Sequence, residues 1–451
     1  MSQTLELVSP NTGRVFCSTP VTSNAEVAAA CDALAVASAE LHADTRRAVL
    51  TEVEAAIRVN RALLSQAIVL EVGKTRGEAD GEVDYAAEFF AAAARALPMQ
   101  ATSTESAPGR RIDVAPLGVA LLIAPYNDPL AGLARKIAPA IAAGCPTMVK
   151  PSPLSWHVAR VFESVMPYAY HAWIRFAFVA TADGVARLIR HPGVGVVSFT
   201  GSTAVGREVA MAAASRPIPV VLELGGNCPF VVLENADAGR AAADFVDRKI
   251  RAAGQACSSI TRVFVHESVR HAFLQAVEQE VSRRPCGLST DPRTAYGPVR
   301  TSGLAARLTA LADAEAASGA RVVLRGEVVK SGEKGWFWPF TLAERSGPQG
   351  ALDEEESFGP FAAMESFTDP AAVVDRLRVN RQRLVAYVYG PQPERFVARL
   401  GDIRFGSLGL NTTRIQGTQV PTGGYLDAGY GREGGRWGIE AFQTTVNTAI
   451  G

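Results

Sequence analysis

The 451-residue sequence is short of several features that would place it in a more specialised class. No uncharged apolar run reaches about 18 residues, the length a membrane-spanning helix needs. The opening residues Met1-Ser2-Gln3-Thr4-Leu5-Glu6 lack a basic stretch followed by an apolar one, so a cytoplasmic location is expected. Excess charge of one sign is missing too, with 45 Lys+Arg against 45 Asp+Glu, which gives no basic field for nucleic acid. The six cysteines, Cys17, Cys31, Cys145, Cys228, Cys257 and Cys286, include no Cys-x-x-Cys pair and no cluster with histidine. Neither a metal site nor a disulfide framework is expected from them. What remains is a protein whose partner is a small molecule.

Hydrophobic residues make up 48% of the chain and charged ones 20%, values typical of a folded globular protein. The length exceeds what one core usually organises, so at least two packed units are expected. From about Ser23 to Ala96 apolar residues recur at helical spacing, as in Val49, Leu50, Val53, Ala56 and Ile57. Residues 99–111 are polar and read as an exposed strand or linker. Short apolar runs then alternate with helical patterns: Val119–Ile123, a helix near Leu130–Ala143, Thr147–Val149, a helix near Trp156–Met166, and Val196–Phe199. Such alternation predicts a parallel sheet covered on both faces. A second alternating set follows Gly225-Gly226, with strands near Phe230–Val232 and Arg262–Val265, and the glycine-rich stretch 423–438 precedes a last strand read as apolar.

The most telling pair is Cys257, in Gly254-Gln255-Ala256-Cys257-Ser258, and Glu223, in Glu223-Leu224-Gly225-Gly226, which lies 257 − 223 = 34 positions upstream. A thiolate can attack an electrophilic carbon, and a nearby carboxylate can activate the water that releases an acyl group from sulfur. Pro125-Tyr126-Asn127, Lys150-Pro151-Ser152, Phe199-Thr200-Gly201-Ser202 and Glu356-Ser357-Phe358-Gly359-Pro360 accompany the pair in a fixed order. With Asn11-Thr12-Gly13 near the start and Gly429-Tyr430-Gly431-Arg432-Glu433 near the end, the sequence resembles the aldehyde dehydrogenase superfamily almost end to end.

The resemblance implies an α/β fold: a Rossmann-type cofactor domain (1–98 and 115–225), an α/β catalytic domain (226–420), and a small β oligomerisation element (99–114 and 440–451) pairing between subunits of a homodimer or homotetramer. It also implies oxidation of an aldehyde to its acid with NAD or NADP. Cys257 would form a thiohemiacetal and then a thioester, Asn127 would donate to the oxyanion together with the Cys257 N–H, and Glu223 would activate the hydrolytic water. Pro125, Tyr126, Lys150, Ser152, Gly201, Ser202, Gly225, Glu356 and Phe358 match cofactor-contacting positions. Proline at 151 stands where many NAD-preferring members carry a glutamate, which keeps NADP open beside NAD.

Other departures bear on activity. Tyr168–Gly184 lacks the family's usual glycine-proline turn, putting the adenine pocket in question; Arg383-Leu384-Val385 replaces the motif usual after Asn380; and Thr422 replaces a phenylalanine near the substrate mouth. Arg135 and Arg251 match arginines with which succinate-semialdehyde dehydrogenases hold a distal carboxylate, a task the planar guanidinium suits. Asp128, assigned to the same tunnel, opposes an anionic substrate. The expected reaction is therefore oxidation of an acid semialdehyde such as succinate semialdehyde. The alternatives are a dehydrogenase for uncharged aliphatic or aromatic aldehydes, or a catalytically impaired relative with a structural or binding role.

Overall fold

The computed structural model describes residues 3–97, 103–107, 109–345, 347 and 349–450. Residues 99–102 and 108 of the expected linker, the preceding residue 98, and Gly451 lie outside them. Two parallel-dominated sheets organise the chain. The first has six strands in the order Gly429–Tyr430, Val220–Glu223, Val194–Thr200, Val119–Ile123, Thr147–Lys150, Ile174–Phe176, all parallel except the first. Its central run Val-Ala-Leu-Leu-Ile is buried at every position, as a strand covered on both faces requires. One covering helix, Ala131–Ala143, is built from alanine and isoleucine, is buried almost throughout, and stops at Gly144, whose φ of 92° ends the turn in a conformation that favours glycine. Helices Ala43–Val59 and Arg76–Ala96 pack against it, and Arg61–Glu71 packs in turn on Arg76–Ala96, together supplying the opening helical layer.

The second sheet has seven strands in the order Arg321–Arg325, Thr341–Glu344, Phe361–Phe367, Ile260–His266, Cys228–Val232, Val385–Tyr389, Ser407–Leu410, with only the first pair antiparallel. Helices Ala238–Ile250 and Glu267–Ser282 bury Phe245 and Phe273 against Phe230 on this sheet. The chain passes from one sheet to the other between Glu223 and Cys228, so the functional motif Glu223–Gly226 occupies the crossing itself.

One expectation changes. The strand Gln443–Ala449 is polar and largely exposed, not apolar, because it forms one edge of a three-stranded antiparallel sheet with Arg110–Pro116 and Ser103–Ala107. The two segments of the expected β element are joined in this sheet within the chain itself. Among the described residues no helix is long and apolar enough to cross a membrane.

The first sheet also depends on a close backbone approach at Gly195, where a Cβ would lie 1.9 Å from the Leu117 carbonyl oxygen. Gly195→Ala is expected to destabilise the protein by about 1–3 kcal/mol, the usual cost of overpacking, read as a shifted midpoint in urea unfolding; an unchanged midpoint would contradict the packing described.

Candidate active site

A cavity of about 1100 Å³ lies where the two sheets meet, and it contains Cys257, Glu223 and Asn127 together. Cys257 follows an unusual turn. Ala252, Ala253 and Gly254 all have positive φ (50°, 54° and 72°), and a Cβ on Gly254 would meet the Gly359 carbonyl carbon at 2.3 Å. Left-handed alanines cost of order 1–3 kcal/mol each, so surrounding groups must hold them. Glu78 accepts the Ala252 N–H at 2.7 Å, and Gln255 donates back to the Ala252 carbonyl at 2.8 Å while its own amide oxygen accepts from Arg300 N and the Tyr126 hydroxyl. The result is a half-buried thiol fixed at the cavity floor.

Electrostatics at the floor are set by burial. Burial first, then the carboxylates of Glu223 and Glu356, push the Cys257 thiol well above its ordinary range, while Arg135 opposes them. Glu223 is 1% exposed, both of its carboxylate oxygens are without a hydrogen-bond partner, and burial pushes it up to about 7. An unpartnered buried carboxylate poised near neutrality suits a general base. Behind it, Lys136 pairs with Glu433 and donates to Ser198 at 2.8 Å, so the sole glutamate of the 429–433 motif is tied to the first sheet. The Asn127 side chain and the Cys257 N–H both take no partner among the described residues, which leaves two neutral donors beside the thiol.

The cavity continues toward the first sheet in a form that fits a dinucleotide. Lys150 is 7% exposed, has no acid within ion-pairing distance, and is pushed down to about 8 by burial alone. Ser152 lines the wall beside it. Ser202 caps the helix Thr203–Ala213 by accepting the Val205 N–H, and with Gly201 it turns the helix N-terminus toward the cavity, where the dipole and first-turn N–H groups favour phosphate. The helix Ala182–Arg190 forms the opposite wall of an apolar slot with Val185, Ile189 and Val209, so the altered Tyr168–Gly184 segment still leaves room where an adenine would lie. Glu356 has one buried oxygen unpartnered and is pushed up to about 8 by burial. A Cβ at Gly225 would come within 2.5 Å of its other oxygen, which explains glycine there. Phe358, at φ 46°, meets the Tyr126 ring edge-on at 6.1 Å, and Pro125 lines the same wall.

The proposed tail-binding residues separate. Arg135 lines the cavity, with its guanidinium 5.4 Å from the Phe89 ring centre and its buried Nε unpartnered. Arg251 is exposed and is not among the lining residues, which places it at the rim and not in the tunnel wall. Asp128 does line the cavity, but Lys74 donates to it at 2.6 Å. Burial works against its ionisation, yet Lys74, Arg251 and Arg135 hold its carboxyl below the usual range. The conflict between an acid and an anionic substrate is thereby relieved by a lysine that the sequence reading did not single out. Thr422 pairs by its backbone with Glu433 and is not a lining residue, and Leu384 packs behind Gly226.

Sequence reasoning also missed Lys249. Fully buried, it donates to Ser259 Oγ at 3.2 Å, the Ile260 carbonyl at 2.6 Å and Ser357 Oγ at 2.9 Å, tying the thiol loop to the loop that carries Glu356 and Phe358. Its position eight residues before Cys257 at the end of a charged helix gave no signal, since a lysine there is usually solvated.

With this geometry in view, comparison with known proteins is direct. The profile of the Aldehyde dehydrogenase family matches residues 1–448, and the chain belongs to that family. A succinate-semialdehyde dehydrogenase of Paenarthrobacter nicotinovorans is 33% identical over 85% of this chain and 86% of its own length. A succinate-semialdehyde dehydrogenase [NADP(+)] of Escherichia coli K12 is 34% identical over 86% of this chain and 81% of its own. The crystal structure of an aldehyde dehydrogenase from Brucella melitensis biovar abortus 2308 superposes with a TM-score of 0.92 at 28% identity, covering 100% of this chain and 94% of that one. The protein is thus an oxidoreductase of the aldehyde dehydrogenase kind, and the family uses NAD(P).

Replacing Lys249 by methionine removes three donors and unties Ser357 from the thiol loop. Dinucleotide binding, followed by fluorescence titration, is expected to weaken about tenfold, equivalent to about 1.4 kcal/mol. Unchanged affinity in a folded variant would show that the two loops hold their places without this link.

Proposed function

We propose that the protein oxidises an acid semialdehyde, with succinate semialdehyde as the representative substrate, to the dicarboxylic acid in an NAD(P)-dependent reaction. The observation that carries this reading is Arg135, a cavity-lining guanidinium whose buried Nε has no partner among the described residues. A buried donor without an acceptor is costly unless a ligand supplies one, and a carboxylate matches the fork of the guanidinium. Two relatives named for succinate semialdehyde support the same reading.

The chain's own groups divide the chemistry. Cys257 attacks the aldehyde carbon; because burial favours its protonated thiol, the proton passes from sulfur to solvent as the carbon–sulfur bond forms, and the nearby Arg135 charge favours the thiolate. Asn127 and the Cys257 N–H donate to the oxygen on which negative charge develops. The nicotinamide dinucleotide, when bound, supplies the acceptor for the departing hydride. Lys150, Ser152, Ser202 and Glu356 orient it, and the absence of an acid beside Lys150 accommodates a 2′-phosphate as well as a free ribose. Glu223 then takes a proton from the water that cleaves the thioester. An idle, purely structural role finds no support in a site whose thiol, base and donors all face one cavity.

Two outcomes test the reading. Glu223 is raised to about 7, so it is ionised and competent above that pH and protonated below it. Steady-state turnover should therefore climb as pH rises through about 7 and then level off. Glu223→Gln should retain a single-turnover burst of reduced cofactor while steady turnover falls by roughly 10²–10⁴-fold; a variant without a burst would place Glu223 before hydride transfer instead. For the substrate, succinate semialdehyde is compared with butanal. The acid should be preferred, and Arg135→Met should lower its kcat/KM by about 10–10²-fold more than that of butanal, the worth of hydrogen bonds to a charged group, since loss of the charge near Cys257 slows both aldehydes alike. Equal use of both aldehydes would sink the acid-semialdehyde assignment and keep the dehydrogenase.

A further inference from the structure

Asp128 follows the oxyanion donor Asn127 directly and lines the same cavity, with 28% of its side chain exposed. Its surroundings fix its state. Lys74, 4% exposed, donates at 2.6 Å to Asp128 Oδ1 and at 2.6 Å to Glu82 Oε2. Glu82 in turn accepts the Leu130 and Ala131 N–H groups at 2.8 and 3.1 Å with its other oxygen, at the start of the helix that carries Arg135. One ammonium therefore serves two carboxyl groups that differ: burial pushes Glu82 up, while Lys74, Arg251 and Arg135 hold Asp128 down against burial.

This arrangement does not use Asp128 fully. Lys74 engages Oδ1, while Oδ2 has no partner among the described residues. An ionised carboxylate oxygen facing a ligand site accepts hydrogen bonds only, and a site built around such an acceptor discriminates against ligands that bring no donor to it. The methylene chain of succinate semialdehyde brings none. We propose that Asp128, held in place by Lys74, is a second determinant of substrate choice, and that the preferred substrate is an acid semialdehyde bearing a hydroxyl or ammonium group on its chain. The proposal rests on the acid-semialdehyde reading for the carboxylate and on Asp128 alone for the donor, so the two can fail separately.

The test ranks kcat/KM for butanal, 3-hydroxybutanal, succinate semialdehyde, 2-hydroxy-4-oxobutanoate and 2-amino-4-oxobutanoate with the native enzyme and with Asp128→Ala and Asp128→Asn. With the native enzyme, at least one donor-bearing acid should exceed succinate semialdehyde by about tenfold or more, and the advantage should vanish in Asp128→Ala. Loss of the advantage in Asp128→Asn for the ammonium compound identifies the charge as the recognised feature; its retention for the hydroxyl compound identifies a neutral donor. If neither donor-bearing acid is favoured by the native enzyme, or if the advantage survives in Asp128→Ala, the proposal is overturned; the native ranking needs no folded variant. Should butanal match the acids while 3-hydroxybutanal still exceeds butanal, the carboxylate reading fails and the donor site stands.

Discussion

The approach of the backbone at Gly254 to the backbone at Gly359 is the contact on which the site rests. No side chain fits between them, since a Cβ would fall 2.3 Å from a carbonyl carbon. One of these glycines belongs to the loop that delivers the thiol, and the other follows Phe358 in the loop that carries Glu356. Bringing them together forces Ala252 and Ala253 into left-handed conformations on one side and Phe358 into one on the other. Strain of this kind persists only where the surroundings over-determine it. Here the Glu78 carboxylate, the Gln255 amide and the Lys249 ammonium do so from three directions. The thiol and the carboxylate Glu356 are thus positioned as parts of one rigid arrangement.

A second constraint is desolvation. The cavity holds Cys257, Glu223, Glu356 and Lys150, all shifted toward their neutral forms by burial. Groups in the same space that stay charged do so because each has an opposite charge in contact, as with Lys136 and Glu433 or Lys74 and Asp128. The cavity thus holds two kinds of ionisable group, unpaired ones moved toward neutrality by burial and paired ones kept charged by a direct partner. Arg135 stands between these two sets. It is charged, it is cushioned by aromatic rings, and its Nε is unpartnered, as expected of a receptor for an anion.

Much of the fold was legible because its signals are local. Val119–Ile123 reads as a doubly covered strand from its unbroken apolar run, and the opening helices read from their spacing. The strand Gln443–Ala449 did not, since its pairing with Arg110–Pro116 joins residues more than 300 positions apart and leaves no apolar pattern. The pair of residues Gly429 and Tyr430 was hidden in a glycine-rich turn for the same reason, although it completes the first sheet beside Glu223. At the site, Cys257, Glu223 and Asn127 stood out by motif. Lys74, Glu82 and Lys249 did not, because their roles exist only through contacts with distant segments. Arg251 is exposed and outside the lining residues yet acts on Asp128 by its charge, a placement set by the turn before Cys257 and not by sequence spacing.

The edge pairings have a consequence for how the protein is made. Residues 429–449 leave the ribosome 429 − 223 = 206 positions after the neighbouring strand end Glu223, yet they supply an edge strand of the first sheet, the partner of Lys136, and the strand that zips onto Arg110–Pro116. The first sheet therefore has one edge open, and Lys136 lacks its counter-charge, until these residues are made. Contacts of such long sequence separation close slowly, and an exposed edge invites pairing with other chains. Nascent chains of this protein are thus set apart from those of domains that fold as they emerge: residues 429–449 decide when the first sheet is complete.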